Sequence, residues 1–440
     1  MICKRITRVG REGTLSYSLS LIGILLVLSA IAAIPPLHAQ EKINLRVATW
    51  QWTQAGFKEF FESASQVFSQ KYPNLVIKPE ALPKAEYFDK MIIETKAGNP
   101  PDIMMMDGIL TQMMEENELE PLDHWLQKTD ILKRWHPLQR KLCVREGKTY
   151  ALLNMLSNWG MILYNQELFG KAGAKIPETP EEFLDAARKI RNLGKNIFGY
   201  GTTTKQSPEF QLVGIDLTNW VFAYGGNWVK DGKPTIDSPE VIRAVKFYKQ
   251  IYDGDVTPKG LDIGQLRQMF WQERIGMIVD GPWQLAPTLE KNPGMYKNLG
   301  ARGMVMAPGI PPKYLASSNQ LAIPRRGKNK EEAWKFVEFI AQPEWQRKYL
   351  DLTYTTPGMV GVEPSPEISK KVPWLKTYVQ TNPYADLAVR TSPLGKYEQP
   401  LYKIVAPYVV SVLLQKDTPE KAMAAAQKEF SDFLKEKGEK

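Results

Sequence analysis

The chain has 440 residues, of which 43% are hydrophobic and 24% charged, a composition typical of a folded protein rather than a disordered or fibrous one. This length exceeds one ordinary compact domain and predicts two, each large enough to bury its own core. A net charge of +9 is a modest excess for 440 residues and does not indicate nucleic-acid binding. The three histidines and two cysteines argue against zinc fingers, disulfide frameworks and most histidine-based enzymes.

Residues 1–39 have the three-part layout of a secretory signal peptide. A basic start is followed by an apolar run over Leu19–Ile34, and Pro35-Pro36 then precede Ala39, the predicted last residue removed. The alternative is an uncleaved membrane anchor, although the run falls short of the roughly 20 apolar residues that a spanning helix needs. No cysteine directly follows the run, so the attachment site of a bacterial lipoprotein is missing. We therefore expect residues 40–440 to form a soluble, monomeric protein.

The first part of this mature chain alternates strand and helix patterns. Apolar alternation over Leu45–Thr49 predicts a strand, and phenylalanines at helical spacing over Phe57–Phe68 predict the helix after it. Leu75–Ile77 and Ile103–Met106 are predicted strands on either side of a helix over Tyr87–Ala97. This order predicts an α/β lobe with a parallel sheet.

The pattern restarts after residue 158 and predicts a second α/β lobe. Thr179-Pro180 and Ser238-Pro239 are helix starts, in which the hydroxyl caps and the proline takes the first turn. Ile275–Val279 is a predicted buried strand. The proline-rich stretches Pro308–Pro312 and Pro357–Pro366 are candidate crossings between the lobes.

Catalytic motifs are nearly absent from the chain. It lacks a Gly-x-Ser-x-Gly elbow, a His-Glu-x-x-His helix and a Gly-x-x-x-x-Gly-Lys phosphate loop. Carboxylates are common, but one sequence does not select the pair that glycoside hydrolysis requires. Cys143 is the one cysteine beyond the signal segment, and we interpret it as buried packing. We therefore predict neither a catalytic centre nor a metal or cofactor site.

Several tryptophans stand beside turn residues. Trp50 and Trp52 follow the first strand, Trp159 follows Asn158, and Trp283 comes just after the end of a predicted strand. A flat ring over the apolar face of a sugar, with amides and carboxylates nearby for the hydroxyls, is what a carbohydrate cleft needs. The alternative for each tryptophan is core packing.

Several short motifs, taken in order, resemble the extracellular solute-binding proteins that feed ATP-binding-cassette importers, specifically the sugar-binding group that includes maltose-binding protein. The motifs are Gly98-Asn99-Pro100-Pro101-Asp102-Ile103, Leu119-Glu120-Pro121-Leu122-Asp123, Gly147-Lys148-Thr149-Tyr150, Leu163-Tyr164-Asn165, Thr179-Pro180-Glu181-Glu182-Phe183, Ile278-Val279-Asp280-Gly281-Pro282-Trp283, Ala333-Trp334-Lys335-Phe336 and Thr418-Pro419-Glu420-Lys421-Ala422. Their order and spacing cover nearly the whole mature chain.

The resemblance implies a periplasmic-binding-protein fold in which two α/β lobes, joined by a hinge, hold ligand in the cleft between them. Lobe I would comprise residues 40–155 and 313–358, and lobe II residues 156–312 and 359–440. Ligand-contacting positions implied by the resemblance are Trp52, Asp107, Asn158, Trp220, Trp283 and Tyr402. The aromatic residues would stack on the ligand, while Asp107 and Asn158 would recognise hydroxyls.

Two positions depart from the family pattern. The family often has proline where Asn154 stands and a glycine pair where Ser317-Ser318 stand. The serines either add two hydroxyls to the cleft or form a different turn.

The function implied by the resemblance is binding without catalysis. The lobes would close over a sugar, oligosaccharide or polyol and present it to the membrane permease of an ABC importer. The alternative from another class is a secreted glycan-processing enzyme, a glycoside hydrolase with a tryptophan-lined cleft. That enzyme would also require a pair of catalytic carboxylates at a set separation. Whether the ligand is phosphorylated stays open at this stage.

Overall fold

The structure, a computed structural model, describes residues 41–285, 288 and 291–439. The predicted signal segment, residues 1–39, lies outside the described residues. Within those residues no helix combines the length and apolar character needed to cross a membrane.

The described residues form two separate main sheets flanked by helices. In chain order the strands are β1 (Ile43–Ala48), β2 (Leu75–Glu80), β3 (Ile103–Met106), β4 (Val144–Arg145), β5 (Lys148–Thr149), β6 (Ala151–Asn158), β7 (Met161–Asn165), β8 (Phe198–Gly201), β9 (Val229–Lys230), β10 (Lys233–Pro234), β11 (Ile275–Val279), β12 (Leu299–Gly303), β13 (Tyr314–Ala322) and β14 (Ala385–Asp386). The α-helices are α1 (Phe57–Lys71), α2 (Lys84–Lys96), α3 (Leu110–Glu115), α4 (Asp123–Leu126), α5 (Ile131–Arg134), α6 (Leu138–Cys143), α7 (Gln166–Ala172), α8 (Pro180–Arg191), α9 (Thr218–Ala223), α10 (Pro239–Asp253), α11 (Ile263–Trp271), α12 (Lys330–Ile340), α13 (Pro343–Thr353), α14 (Pro366–Lys371), α15 (Leu375–Thr381), α16 (Glu398–Leu413) and α17 (Pro419–Glu436). This architecture confirms the predicted two-lobe α/β class.

The first sheet has the order β14-β13-β3-β1-β2, with β6 also paired to β13. β1 and β3 are parallel, so their carboxyl ends lie at the same edge of the sheet. Helix α1 covers this sheet with the predicted phenylalanine face, and Phe60 packs edge-on against Tyr349 of α13 at 4.9 Å between ring centroids. We call this sheet with its helices the first lobe.

The second sheet has the order β12-β7-β11-β8, and β8 runs parallel to β11. Its strands are buried on both faces. In β11, Met277 and Val279 face one hydrophobic core, while Ile275 and Ile278 face another. This double burial explains the continuous apolar run that predicted the strand. We call this sheet with its helices the second lobe.

Strands β6 and β13 pair antiparallel, with Asn158 opposite Ala316. The segment that contains Thr356 lies beside these strands, because the Leu156 amide donates to the Thr356 carbonyl at 3.1 Å. β6 keeps its pairing through Asn158, beyond the expected lobe boundary after residue 155, and β14 pairs with β13 from within the range expected for lobe II. Backbone hydrogen bonding thus extends the first sheet across the lobe boundary expected from the sequence.

Ser317 and Ser318 lie inside β13 and so form no turn. Ser318 is fully buried, and its hydroxyl accepts a hydrogen bond from the Gln320 side chain at 2.9 Å. Of the two alternatives considered for this pair, the different turn is therefore wrong, and the Ser318 hydroxyl supports the strand rather than the cleft.

Candidate functional site

Side chains from both lobes meet in one series of contacts, and Asn158 adjoins this series as the chain neighbour of Trp159. We call this group the interlobe site. Its members are Trp50, Lys84, Asp107, Asn158, Trp159, Phe210, Trp283, Arg390, Glu398 and Tyr402.

The aromatic part of the site is a perpendicular pair of tryptophans. Trp159 follows β6, and Trp283 lies in a short 3-10 helix just after β11. Their ring centroids are 4.9 Å apart with the planes at 86°, and Phe210 adds a second edge contact to Trp159 at 5.9 Å. Both tryptophans are half-buried, so ring surface stays accessible.

A glycine allows the Trp283 ring to fold back over its own backbone. A Cβ added at Gly281 would lie 2.1 Å from a carbon of the Trp283 ring, which is far inside van der Waals contact. Any larger residue at Gly281 would therefore displace the indole. The motif Asp280-Gly281-Pro282-Trp283 thus has a steric reason for its glycine.

Two polar atoms on adjacent residues of the site are buried without a hydrogen-bond partner among the described residues. They are the indole Nε1 of Trp159 and the amide oxygen Oδ1 of Asn158. The Asn158 amide nitrogen donates to the Thr381 hydroxyl at 2.8 Å, which orients the side chain. Leaving buried polar atoms unpaired costs free energy, so a free donor on Trp159 and a free acceptor on the adjacent residue Asn158 are each suited to a hydroxyl-bearing ligand.

Asp107 follows β3 and contacts a cation with each of its oxygens. Lys84 Nζ lies 2.9 Å from Oδ2, and Arg390 Nη1 contacts Oδ1. Burial opposes ionisation of Asp107, but the two cations outweigh it and lower its pKa to about 2. Asp107 belongs to the first lobe. Arg390 lies in the 3-10 helix Ala388–Thr391, and Val389 of the same helix packs in the core of the second lobe. The ion pair therefore joins the two lobes.

Arg390 also forms an ion pair with a second carboxylate, that of Glu398. Its Nε donates to Glu398 Oε2 at 3.0 Å, and the Tyr402 hydroxyl donates to Glu398 Oε1 at 3.2 Å. Burial raises the pKa of Glu398, and the adjacent guanidinium partly offsets that effect. Glu398 and Tyr402 thus orient Arg390 toward Asp107.

Lys84 connects Asp107 to Trp50 in the first lobe. Its Nζ lies 4.9 Å from the centroid of the Trp50 ring, within cation–π distance. Trp50 is itself fixed by edge contacts to Tyr87 and Phe88 at 5.1 and 5.4 Å.

The structure brings four of the six residues implied by the resemblance into this series. Asp107, Asn158 and Trp283 present atoms or ring surface to it. Tyr402 joins it through its hydroxyl and through its ring, 6.1 Å from Phe210, but it is only 1% exposed and therefore lies behind the surface of the site.

Trp220 and Trp52 are placed elsewhere. Trp220 is fully buried in the second lobe, with ring contacts to Phe183 at 5.0 Å and Phe247 at 4.5 Å, which favours the core-packing alternative over sugar stacking. Trp52 donates its indole N–H to the Val47 carbonyl at 2.9 Å and packs against Phe61, so its polar end is already used inside the first lobe.

Sequence reasoning missed the charged part of the site. Arg390 lies 283 positions beyond Asp107, and no local pattern connects the two residues. Lys84 and Glu398 likewise resemble ordinary surface charges in the sequence. Trp159 was among the candidate aromatic residues, and its position next to Asn158 in the sequence was a signal that it could belong to the site.

Across the part of the chain that the structure describes, no group of three or more histidine, cysteine, aspartate or glutamate residues is placed to hold a metal ion.

Comparison with known proteins adds independent findings. Residues 50–347 match the sequence profile of a family described as bacterial extracellular solute-binding protein. A binding protein of Brucella abortus (strain 2308) is 26% identical over 339 residues, which are 74% of this chain and 78% of that protein.

Solved structures show the same fold. An ABC transporter solute-binding protein from Thermotoga lettingae, bound with alpha-D-tagatose, has a TM-score of 0.74 at 24% identity, covering 90% of this chain and 100% of that one. The maltose-bound MalE3 of T. maritima has a TM-score of 0.75 at 21% identity, covering 89% and 100%.

Proposed function

The chain belongs to the bacterial extracellular solute-binding protein family, and from that premise we propose that it binds a sugar, oligosaccharide or polyol in the interlobe site. The observation that carries this proposal is the half-buried Trp159–Trp283 pair together with the unpaired Nε1 of Trp159 and Oδ1 of the adjacent Asn158. An indole face packs on the apolar face of a sugar ring, while the free donor and acceptor would bind its hydroxyls. The tagatose- and maltose-bound structural neighbours support a ligand of this class.

The proposed role in transport rests on the placement of the site between two lobes. Ligand contacting Trp283 of the second lobe and Asn158 of the first sheet would stabilise the closed arrangement over the open one. The equilibrium shifts only by the difference in affinity between these two forms. The permease subunits of an ABC importer would then recognise the closed form. We place the protein in the periplasm as a monomer released by cleavage after Ala39, with lobes near the boundaries expected from the sequence.

The glycan-processing alternative lacks support from the comparisons. Both carboxylates of the interlobe site, Asp107 and Glu398, are bound to the same guanidinium of Arg390. A retaining or inverting glycosidase instead needs one carboxyl group to donate a proton and the other to attack or activate water. Two carboxylates tied to one arginine are poorly suited to those roles.

The test is a thermal-shift screen of residues 40–440 against mono-, di- and trisaccharides, polyols and sugar phosphates, followed by calorimetric titration. A ligand that binds only the folded protein raises its melting temperature by mass action. Trp159→Ala should make the shift much smaller at the same ligand concentration, because the affinity falls by tens of fold. Trp271→Ala is the matched control, because Trp271 is also half-buried but donates its indole N–H to Thr288, outside the interlobe site.

Two outcomes would contradict the proposal. One is that no saccharide or polyol shifts the melting temperature. The other is that Trp159→Ala and Trp271→Ala lose binding to the same extent, because the loss would then follow from general destabilisation. Chromatography of the incubated ligand checks the enzyme alternative, since a binding protein returns it unchanged.

A further inference from the structure

The four charges of the interlobe site cancel. Lys84 and Arg390 supply two positive charges, and Asp107 and Glu398 supply two negative charges, all joined by ion pairs. Asp107 is the member that both cations share.

We propose that Asp107 sets the charge selectivity of this site: by occupying both cations it excludes phosphorylated and other anionic sugars, so that the site takes a neutral, hydroxyl-rich ligand. This inference rests on the proposed binding function and narrows its substrate class. It makes Asp107 a specificity-determining residue in addition to a hydroxyl acceptor.

The geometry of the two cations supports this role. Each contacts a different oxygen of Asp107, so one carboxylate stands where a phosphate group would bridge them. Arginine and lysine are the side chains that bind phosphate, and their donors are suited to its oxygens. An anionic ligand would therefore have to displace Asp107 and tolerate its charge close by. A neutral ligand can share hydrogen bonds with the group without disturbing the balance of charge.

The cations would stay in place if the Asp107 charge were removed. Arg390 keeps its bond to Glu398, which Tyr402 supports from behind. Lys84 keeps its position near the ring of Trp50 and is about half exposed, with 47% of its side chain accessible. Replacing Asp107 by asparagine thus leaves both cations directed at the residue 107 side chain. The interlobe site then carries two positive charges and one negative charge, a net charge of +1.

The experiment compares Asp107→Asn with the wild-type protein, using inorganic phosphate, glucose 6-phosphate and a panel of neutral saccharides and polyols at constant ionic strength. Asp89→Asn is the matched control, because it removes the same charge from an exposed position on α2, the helix that carries Lys84. We expect the wild type and Asp89→Asn to bind neutral ligands and not the phosphates. Asp107→Asn should gain at least about tenfold in affinity for glucose 6-phosphate, and the double variant Asp107→Asn/Arg390→Gln should lose that gain.

The outcomes separate this inference from the proposed function. A wild-type protein that prefers sugar phosphates overturns the charge selectivity and keeps the binding function, and this measurement decides the matter even if Asp107→Asn does not fold. A folded Asp107→Asn variant without any gain for phosphate also overturns the inference. A wild type that binds no saccharide while Asp107→Asn gains phosphate would refute the proposed function and support the role of Asp107.

Discussion

Replacing Trp220 by alanine distinguishes a core tryptophan from one that contacts ligand. Trp220 is 0% exposed and packs among Phe183, Tyr200 and Phe247. A large aromatic side chain buries roughly 150–250 Å², which at about 25 cal/mol per Å² corresponds to roughly 4–6 kcal/mol of transfer free energy. Measured aromatic truncations in cores cost about 3–5 kcal/mol, and we expect a loss of that size in the free energy of unfolding.

The assay pairs two measurements on two variants. Urea unfolding of the ligand-free protein gives stability, and calorimetric titration with the saccharide that gives the largest thermal shift gives affinity. Trp220→Ala should lose stability but bind normally at temperatures where it remains folded. Trp159→Ala should show the reverse, because its half-buried ring belongs to the interlobe site. Truncating such an anchor typically costs on the order of 2 kcal/mol of binding, or tens of fold in affinity.

One result would refute this reasoning. If Trp220→Ala unfolds at the same urea concentration as the wild type yet loses affinity, then its indole contacts ligand, as the family resemblance implied. Truncation would in that case leave the core largely undisturbed, and the core placement of Trp220 would not describe the ligand-binding form.

Four further predictions follow from individual side chains. Burial raises the pKa of Asp216 to about 7, so the free energy of unfolding should fall as the pH rises from about 4 to about 7. Urea titrations at several pH values should show a flatter dependence for Asp216→Asn. At Asp107 the two cationic partners outweigh burial and lower the pKa to about 2. The stability that the ionised carboxylate contributes above about pH 4 should therefore be lost as the pH falls toward 2. A folded Asp107→Asn variant that unfolds in acid with the wild-type profile would contradict this. Burial also raises the pKa of the Cys143 thiol, so a thiol reagent should label the native protein slowly and the urea-unfolded protein rapidly; fast stoichiometric labelling of the native protein would show an exposed thiol. Gly281→Ala should displace the Trp283 ring and weaken saccharide binding by at least about tenfold with little change in unfolding, whereas unchanged calorimetric affinity would count against Trp283 as a contact.

Local order along the chain was predictable because it depends on neighbouring residues. The phenylalanine spacing of α1, the double-sided burial of β11 and the capping sequence at Thr179 each act within a few residues. Thr179 indeed accepts a hydrogen bond from the Glu182 amide at 3.2 Å, and the Glu182 side chain reaches back to the Glu178 amide at 2.7 Å, one residue beyond the cap. These local patterns, taken in order, also predicted two α/β lobes.

Patterns of neighbouring residues were therefore enough to predict the fold class, the two lobes and a set of candidate aromatic residues. Which of those residues belong to the interlobe site depended on packing between distant segments. A tryptophan pattern is the same for a core position and a binding position, because both require a large apolar ring beside a turn. Only packing placed Trp220 among core aromatics and Trp159 against Trp283. The pairing of Asp107 with Arg390 depends on the approach of two lobes, and no local rule encodes a contact between segments so distant in the chain.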